Sequence, residues 1–127
     1  MIILEYFIIG VSTILTLVGV FHQLIVGGIV TRLIDAEEKD LRLYLMSWIS
    51  HGNYITFLGI LPIILFIFHS SYDPALKTTF FILAIAMIIL SIHIAISGLK
   101  YKILPITLEF VLLIISSGSI LLYYFLI

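Results

Sequence analysis

Four apolar runs, each long enough to cross a bilayer, constrain this chain more than any other feature. Spanning ~30 Å of hydrocarbon as a helix takes about 20 apolar residues. Residues 2–30, 43–68, 76–98 and 103–126 meet that length, separated only by "TRLIDAEEKDLR", "HSSYDP" and "LKYK". Lipid offers the backbone no hydrogen-bond partners, so such runs satisfy themselves as helices. The alternation of a membrane barrel, in strands of about 10 residues, is missing. The expected fold is all-α, an integral membrane four-helix bundle. With no linker, repeat or low-complexity tract, residues 1–127 form a single domain.

Composition agrees with this reading. Of 127 residues, 63% are hydrophobic and only 10% charged, and the mean hydropathy is +1.34. A soluble domain covers its surface with roughly a quarter charged residues. Here the lipid bilayer must do that covering. A net charge of −1 gives no reason to expect nucleic acid as a partner. The absence of cysteine removes disulfides, thiolate metal sites and cysteine nucleophiles. The opening "MIILEYFIIG" has Glu5 where a secretory signal carries basic residues. Its apolar run also outlasts a signal's core of about 7–15 residues. It is therefore expected to stay as a spanning helix.

Orientation follows from the six basic residues. Arg32, Lys39, Arg42, Lys100 and Lys102 fall in the first and third connections, and Lys77 alone lies on the other side. The positive-inside rule then predicts both termini outward and those two connections cytoplasmic, as in a multi-pass protein of a bacterial inner membrane. The acidic residues Asp35 and Glu38 stand four before Lys39 and Arg42, a spacing that suits a solvated helical extension.

Given that topology, each polar residue inside a run has a depth, at 1.5 Å rise per residue. His22 lies about 15 Å from the cytoplasmic end of its helix, and His51 and Asn53 roughly 13–17 Å. His93 and Glu109 lie about 10 Å in. Every helix therefore brings an ionisable side chain to one layer in the cytoplasmic half. Helical phase sorts their neighbours. Ser12, Thr16, Gly19, Gln23 and Gly27 form a small, polar stripe with His22 on its flank. Ser47, Ser50 and Tyr54 centre a face edged by His51 and Asn53, while Glu109, Ser116 and Tyr123 repeat at sevens. Small residues let membrane helices approach closely, so these three faces are expected to converge. On the third helix, Ala84, Ser91, Ala95 and Gly98 oppose His93, Ala86 and Ser97. Two polar faces on one helix point to a homo-oligomer.

The layer supports several chemistries. A ligand site would draw on His22, Gln23, Ser50, His51, Asn53, Tyr54 and Glu109. A metal site would draw on His22, His51, His93 and Glu109, imidazole and carboxylate being donors for zinc, iron or copper. Opposed histidines also ligate haem, and histidine with glutamate relays protons across membranes. Against these stands a structural or accessory subunit with no site, its polar groups bonding helix to helix. No phosphate-cradling glycine loop, serine–histidine–acid set or short metal motif is present, so nothing assigns catalysis. Elsewhere, Tyr6, Tyr123, Tyr124 and Phe125 read as an outer interfacial belt, Tyr44 and Trp48 as the cytoplasmic one. His69 reads as a loop histidine, Pro62 as a kink and Pro105 as a first-turn proline.

"SHGNYITFLGILP" resembles the second helix of the superfamily of membrane-associated proteins in eicosanoid and glutathione metabolism (MAPEG). His51, Asn53, Tyr54 and Phe57 match its His-x-Asn-Phe/Tyr-x-Glu-Tyr-x-Pro pattern, and "HIAISGLKYKILP" is loosely similar to the stretch before its fourth helix. The resemblance implies four helices, outward termini, a cytosol-facing site and trimers. Thr56 stands where the family has glutamate, Pro62 comes three residues late, and no arginine lies just before Asn53. Those departures remove the groups that the family uses on glutathione, which is therefore not expected as the cofactor.

Overall fold

The computed structural model describes residues 2–26, 38–68, 73–101 and 104–127. Helix α1, Ile2–Phe21, passes into a π-helical turn, His22–Val26; α2 is Glu38–Phe68 and α3 is Pro74–Ser97. A 3-10 turn, Leu99–Tyr101, precedes α4, Leu104–Leu126. All four helices are long and apolar enough to cross a membrane. The expected all-α, multi-pass plan holds on that ground. The expectations for Gly27, the Asp35–Lys39 pair and His69 lie outside the described residues. The solvated extension is seen where it can be: α2 begins at Glu38, whose carboxylate pairs with Arg42 one turn on.

The helix ends follow local chemistry. Asp73 caps α3, its carboxylate accepting from the Ala75 N–H at 2.9 Å. Pro74, with no N–H to leave unpaired, takes the first helical position. At the other end Gly98 N–H donates to Ile94 O at 2.8 Å. Within the helices, hydroxyls turn inward on their own backbone: Thr16 donates to Ser12 O, Thr56 to Gly52 O and Ser91 to Met87 O. Such back-bonding is how a hydroxyl avoids standing unpaired in hydrocarbon.

Burial follows steps of four and three residues. On α1 it selects Ile8, Ser12, Leu15, Gly19 and His22, and on α3 Leu76, Phe80, Leu83, Met87, Ser91 and Ile94. On α4 it runs Glu109, Leu112, Ser116, Ser119 and Tyr123. A mean step of 3.5 residues keeps one seam facing its partner along the whole helix. The outer surface is apolar, with Leu17, Phe21, Ile89 and Leu122 exposed, as a lipid-facing surface requires.

The close seam lies between α1 and α2, and α4 packs on both α3 and α1; α2 and α3 barely touch. Glycines set the α1–α2 distance. A Cβ on Gly19 would stand 2.5 Å from the Thr56 backbone nitrogen, and one on Gly59 would stand 2.6 Å from that of Thr16. Each helix thus seats its threonine on the other's glycine, in an antiparallel register. Gly52 completes it, where a Cβ would meet Gln23 Cγ at 2.5 Å and Gly19 O at 3.0 Å.

This seam corrects the expected inner face of α2. Ser47, Ser50, Asn53 and Tyr54 are exposed, because Gly52, Ile55 and Gly59 take the inner side. In lipid, close van der Waals approach drives association more than polarity does, and only the glycine side allows it. Tyr123 is a second correction. It lies in the core, not in an outer belt, with edge-to-face contacts to Phe66 and Phe80 and its hydroxyl donating to Glu5 at 2.9 Å. It follows Ser116 by seven residues on the buried stripe, and Glu5 gives its hydroxyl a partner.

Candidate functional site

Three of the four helices deliver one ionisable side chain each to a common point. His22 arrives where α1 passes into its π-helical turn, His51 sits one residue before the glycine that seats α2 against α1, and Glu109 opens the buried stripe of α4. The Glu109 carboxylate is fully buried, and each of its oxygens takes one ring. Oε1 lies 2.6 Å from His22 Nδ1, and Oε2 lies 3.0 Å from His51 Nε2. An isolated carboxylate in hydrocarbon is costly. Two imidazole partners offset that cost, which is why the side chain tolerates complete burial.

The rings are held from outside the trio. Trp48, one turn before His51, stacks on His22 with centroids 4.9 Å apart and planes 24° apart. The His22 and His51 rings lie 5.1 Å apart, tilted by 55°. Next to His22, Gln23 Nε2 donates to Thr56 Oγ1 at 3.0 Å, fixing the turn of α1 against α2. The π-helical turn begins at His22 itself. Such turns insert a residue into the helical step and recur at functional positions.

Two cavities flank the cluster. One, of about 180 Å³, lies in the loose α2–α3 seam and is lined by His22, Ser47, Trp48, His51, His93 and Ser97 among others. The other, of about 300 Å³, lies between α1 and α4, with Val18, Phe21, Leu104 and Leu108 around His22 and Glu109. His93, exposed on α3, lines the first of these cavities.

Of the residues singled out from sequence, His22, His51 and Glu109 are brought into contact, and His93 lines the cavity beside them. Gln23 borders the cluster through Thr56. Ser50, Asn53 and Tyr54 lie on the outer face of α2, away from it. Trp48 and Thr56 were missed as parts of the site. Trp48 precedes His51 by three residues, a same-face spacing, and Gly52-x-x-x-Thr56 is a small-residue contact signature.

His22, His51 and Glu109 each offer one ligand atom within 4.8 Å of the others, the spacing of a metal-binding group. The donors are imidazole nitrogen and carboxylate oxygen, a set that suits first-row transition ions. No known family model matches this chain, and neither a curated protein nor a solved structure is similar to it.

Proposed function

We propose that this chain is a multi-pass bacterial inner-membrane protein that binds a divalent transition-metal ion in a polar layer of its cytoplasmic half. The observation that carries the reading is the meeting of His22, His51 and Glu109, three potential ligands from three helices, at one buried point. The distribution of basic residues supports the orientation, with both termini outward. The α2–α3 cavity, of about 180 Å³, has room for an ion with a few waters. Both rings turn to one carboxylate instead of opposing each other across a gap, which favours such an ion over haem. Asn53 and Ser50, polar on the outer face of α2, support a homo-oligomer in which a second copy covers them. The likeness to the MAPEG superfamily enters as a fold relation only. Among the described residues the arginine is Arg42, and it is paired with Glu38 at the start of α2.

The test is metal content and spectrum. Protein purified in detergent is expected to retain about one Zn2+, Fe2+ or Cu2+ per chain. Metal-stripped protein is expected to take up Co2+ with ligand-field absorption, and His51→Ala to lose most of that uptake. A Soret band would instead establish haem. Absence of retained metal together with absence of Co2+ absorption would return the cluster to a packing or proton-relay role.

A further inference from the structure

The three potential ligands differ in what surrounds them. The Glu109 side chain has no exposed surface, His22 is 3% exposed and His51 is 30% exposed. Trp48 covers one face of His22, stacked on it at 4.9 Å. An ion held at their meeting point is therefore closed off on the His22 and Glu109 sides. His51 is the ligand with surface to spare, and it lines the α2–α3 cavity of about 180 Å³.

Three protein donors do not fill the coordination of a first-row divalent ion. Zinc takes four ligands, and sites built from two histidines and a carboxylate keep a position for water or an outside molecule. Among the described residues, no fourth histidine or carboxylate joins the group. The two cavities offer different routes to that position. Between α1 and α4 the walls are Val18, Phe21, Leu104, Pro105 and Leu108, and the polar groups there, His22 and Glu109, are buried. A charged or strongly polar molecule would give up water on that route without compensation. Between α2 and α3 the walls include His93, Ser47 and Ser97, beside the half-buried His51. Imidazole and hydroxyl groups are hydrogen-bond partners for a polar ligand.

We infer that the ion keeps an open position toward the α2–α3 cavity and takes a small water-borne ligand there, a water molecule or a small anion. This rests on the metal reading above and names the class of molecule that the site admits. Binding is a ligand exchange. The anion's lone pair replaces a bound water on the ion, no bond in the protein breaks, and no electron is transferred.

The probe is azide, titrated into Co2+-loaded protein in detergent and read by ligand-field absorption. Wild type is compared with Ser97→Trp and Leu104→Trp. Both positions are exposed, Ser97 lining the α2–α3 cavity and Leu104 the α1–α4 cavity. Azide is expected to shift the wild-type spectrum saturably. Ser97→Trp is expected to load Co2+ as wild type does and to weaken azide at least about tenfold, because the indole fills the ligand's space. Leu104→Trp is expected to match wild type in both respects. Ser47→Trp, from the facing helix, repeats the block without altering α3. The inference is overturned if Co2+ binds and azide leaves its spectrum unchanged. It is equally overturned if azide binds Ser97→Trp and Ser47→Trp as tightly as wild type. Either outcome leaves the metal reading standing. Failure of wild-type protein to take up Co2+ removes both.

Discussion

Helix α2 meets its two neighbours in opposite ways. Toward α1 it presents Gly52, Thr56 and Gly59, and the backbones come so close that a single added Cβ would collide. Toward α3 it presents Ser47, Trp48 and His51, and the helices stand apart around a cavity. Lipid tails are as apolar as leucine, so burial of apolar surface drives neither seam closed. Closure then depends on shape. Threonine on glycine fits, and the glycine pair allows contact along several turns. His51 and Trp48 of α2, with His22 from the end of α1, face His93 across a space instead.

The heaviest blow to this contrast falls on the closed seam. Gly19→Leu places a side chain where even a Cβ lies 2.5 Å from the Thr56 backbone, and overpacking of this kind costs about 1–3 kcal/mol or more. Thermal unfolding in detergent is expected to show a large loss. Gly10→Leu, with nothing within 4 Å of the added Cβ, is expected to leave stability nearly unchanged. Equal effects of the two would mean that the glycine register does not set the seam.

Next comes the junction of the seams. His22 and His51 share Glu109, so their substitutions are not independent, and coupling of about 0.5–3 kcal/mol is expected in a double-mutant cycle. His22→Ala and His51→Ala together should cost less than the sum of each alone. Strict additivity would separate the two rings energetically, whatever their distance.

The smallest effect belongs to the open seam. Ser97 is exposed on the cavity rim, its hydroxyl donating to its own His93 carbonyl at 2.7 Å. Ser97→Leu is expected to change stability by less than about 0.5 kcal/mol, measured in the same unfolding assay. A large loss there would mean that α2 and α3 are already closed in the membrane.

The spanning helices were legible because the signal is length and hydropathy, which a membrane makes nearly sufficient. The matched depth of His22, His51 and Glu109 was legible too, since rise per residue converts position into depth once the topology is assumed. Azimuth was harder. Polarity suggested Ser50, Asn53 and Tyr54 as the inner face of α2, but Gly52 and Gly59 mark it, because approach distance outranks polarity in lipid. The same bias put Tyr123 in the interfacial belt when its seven-residue step from Ser116 already placed it on the core stripe. His93 was picked out by its depth, but its facing was not legible. It opposes the buried face of α3, and only the standoff of α2 from α3, a tertiary property, lets it line the cavity.

The threonine–glycine seating of α1 on α2 also has a consequence for biogenesis. Every residue of that lock lies in the first two helices. A nascent chain can therefore close this hairpin before α3 and α4 have been synthesised, as N-terminal units do during translation. His22 and His51 are then already side by side while the carboxylate that orients them has yet to be made. Helix α4, made after this hairpin, carries Glu109, so a chain stopped before it holds both imidazoles near each other without their shared carboxylate.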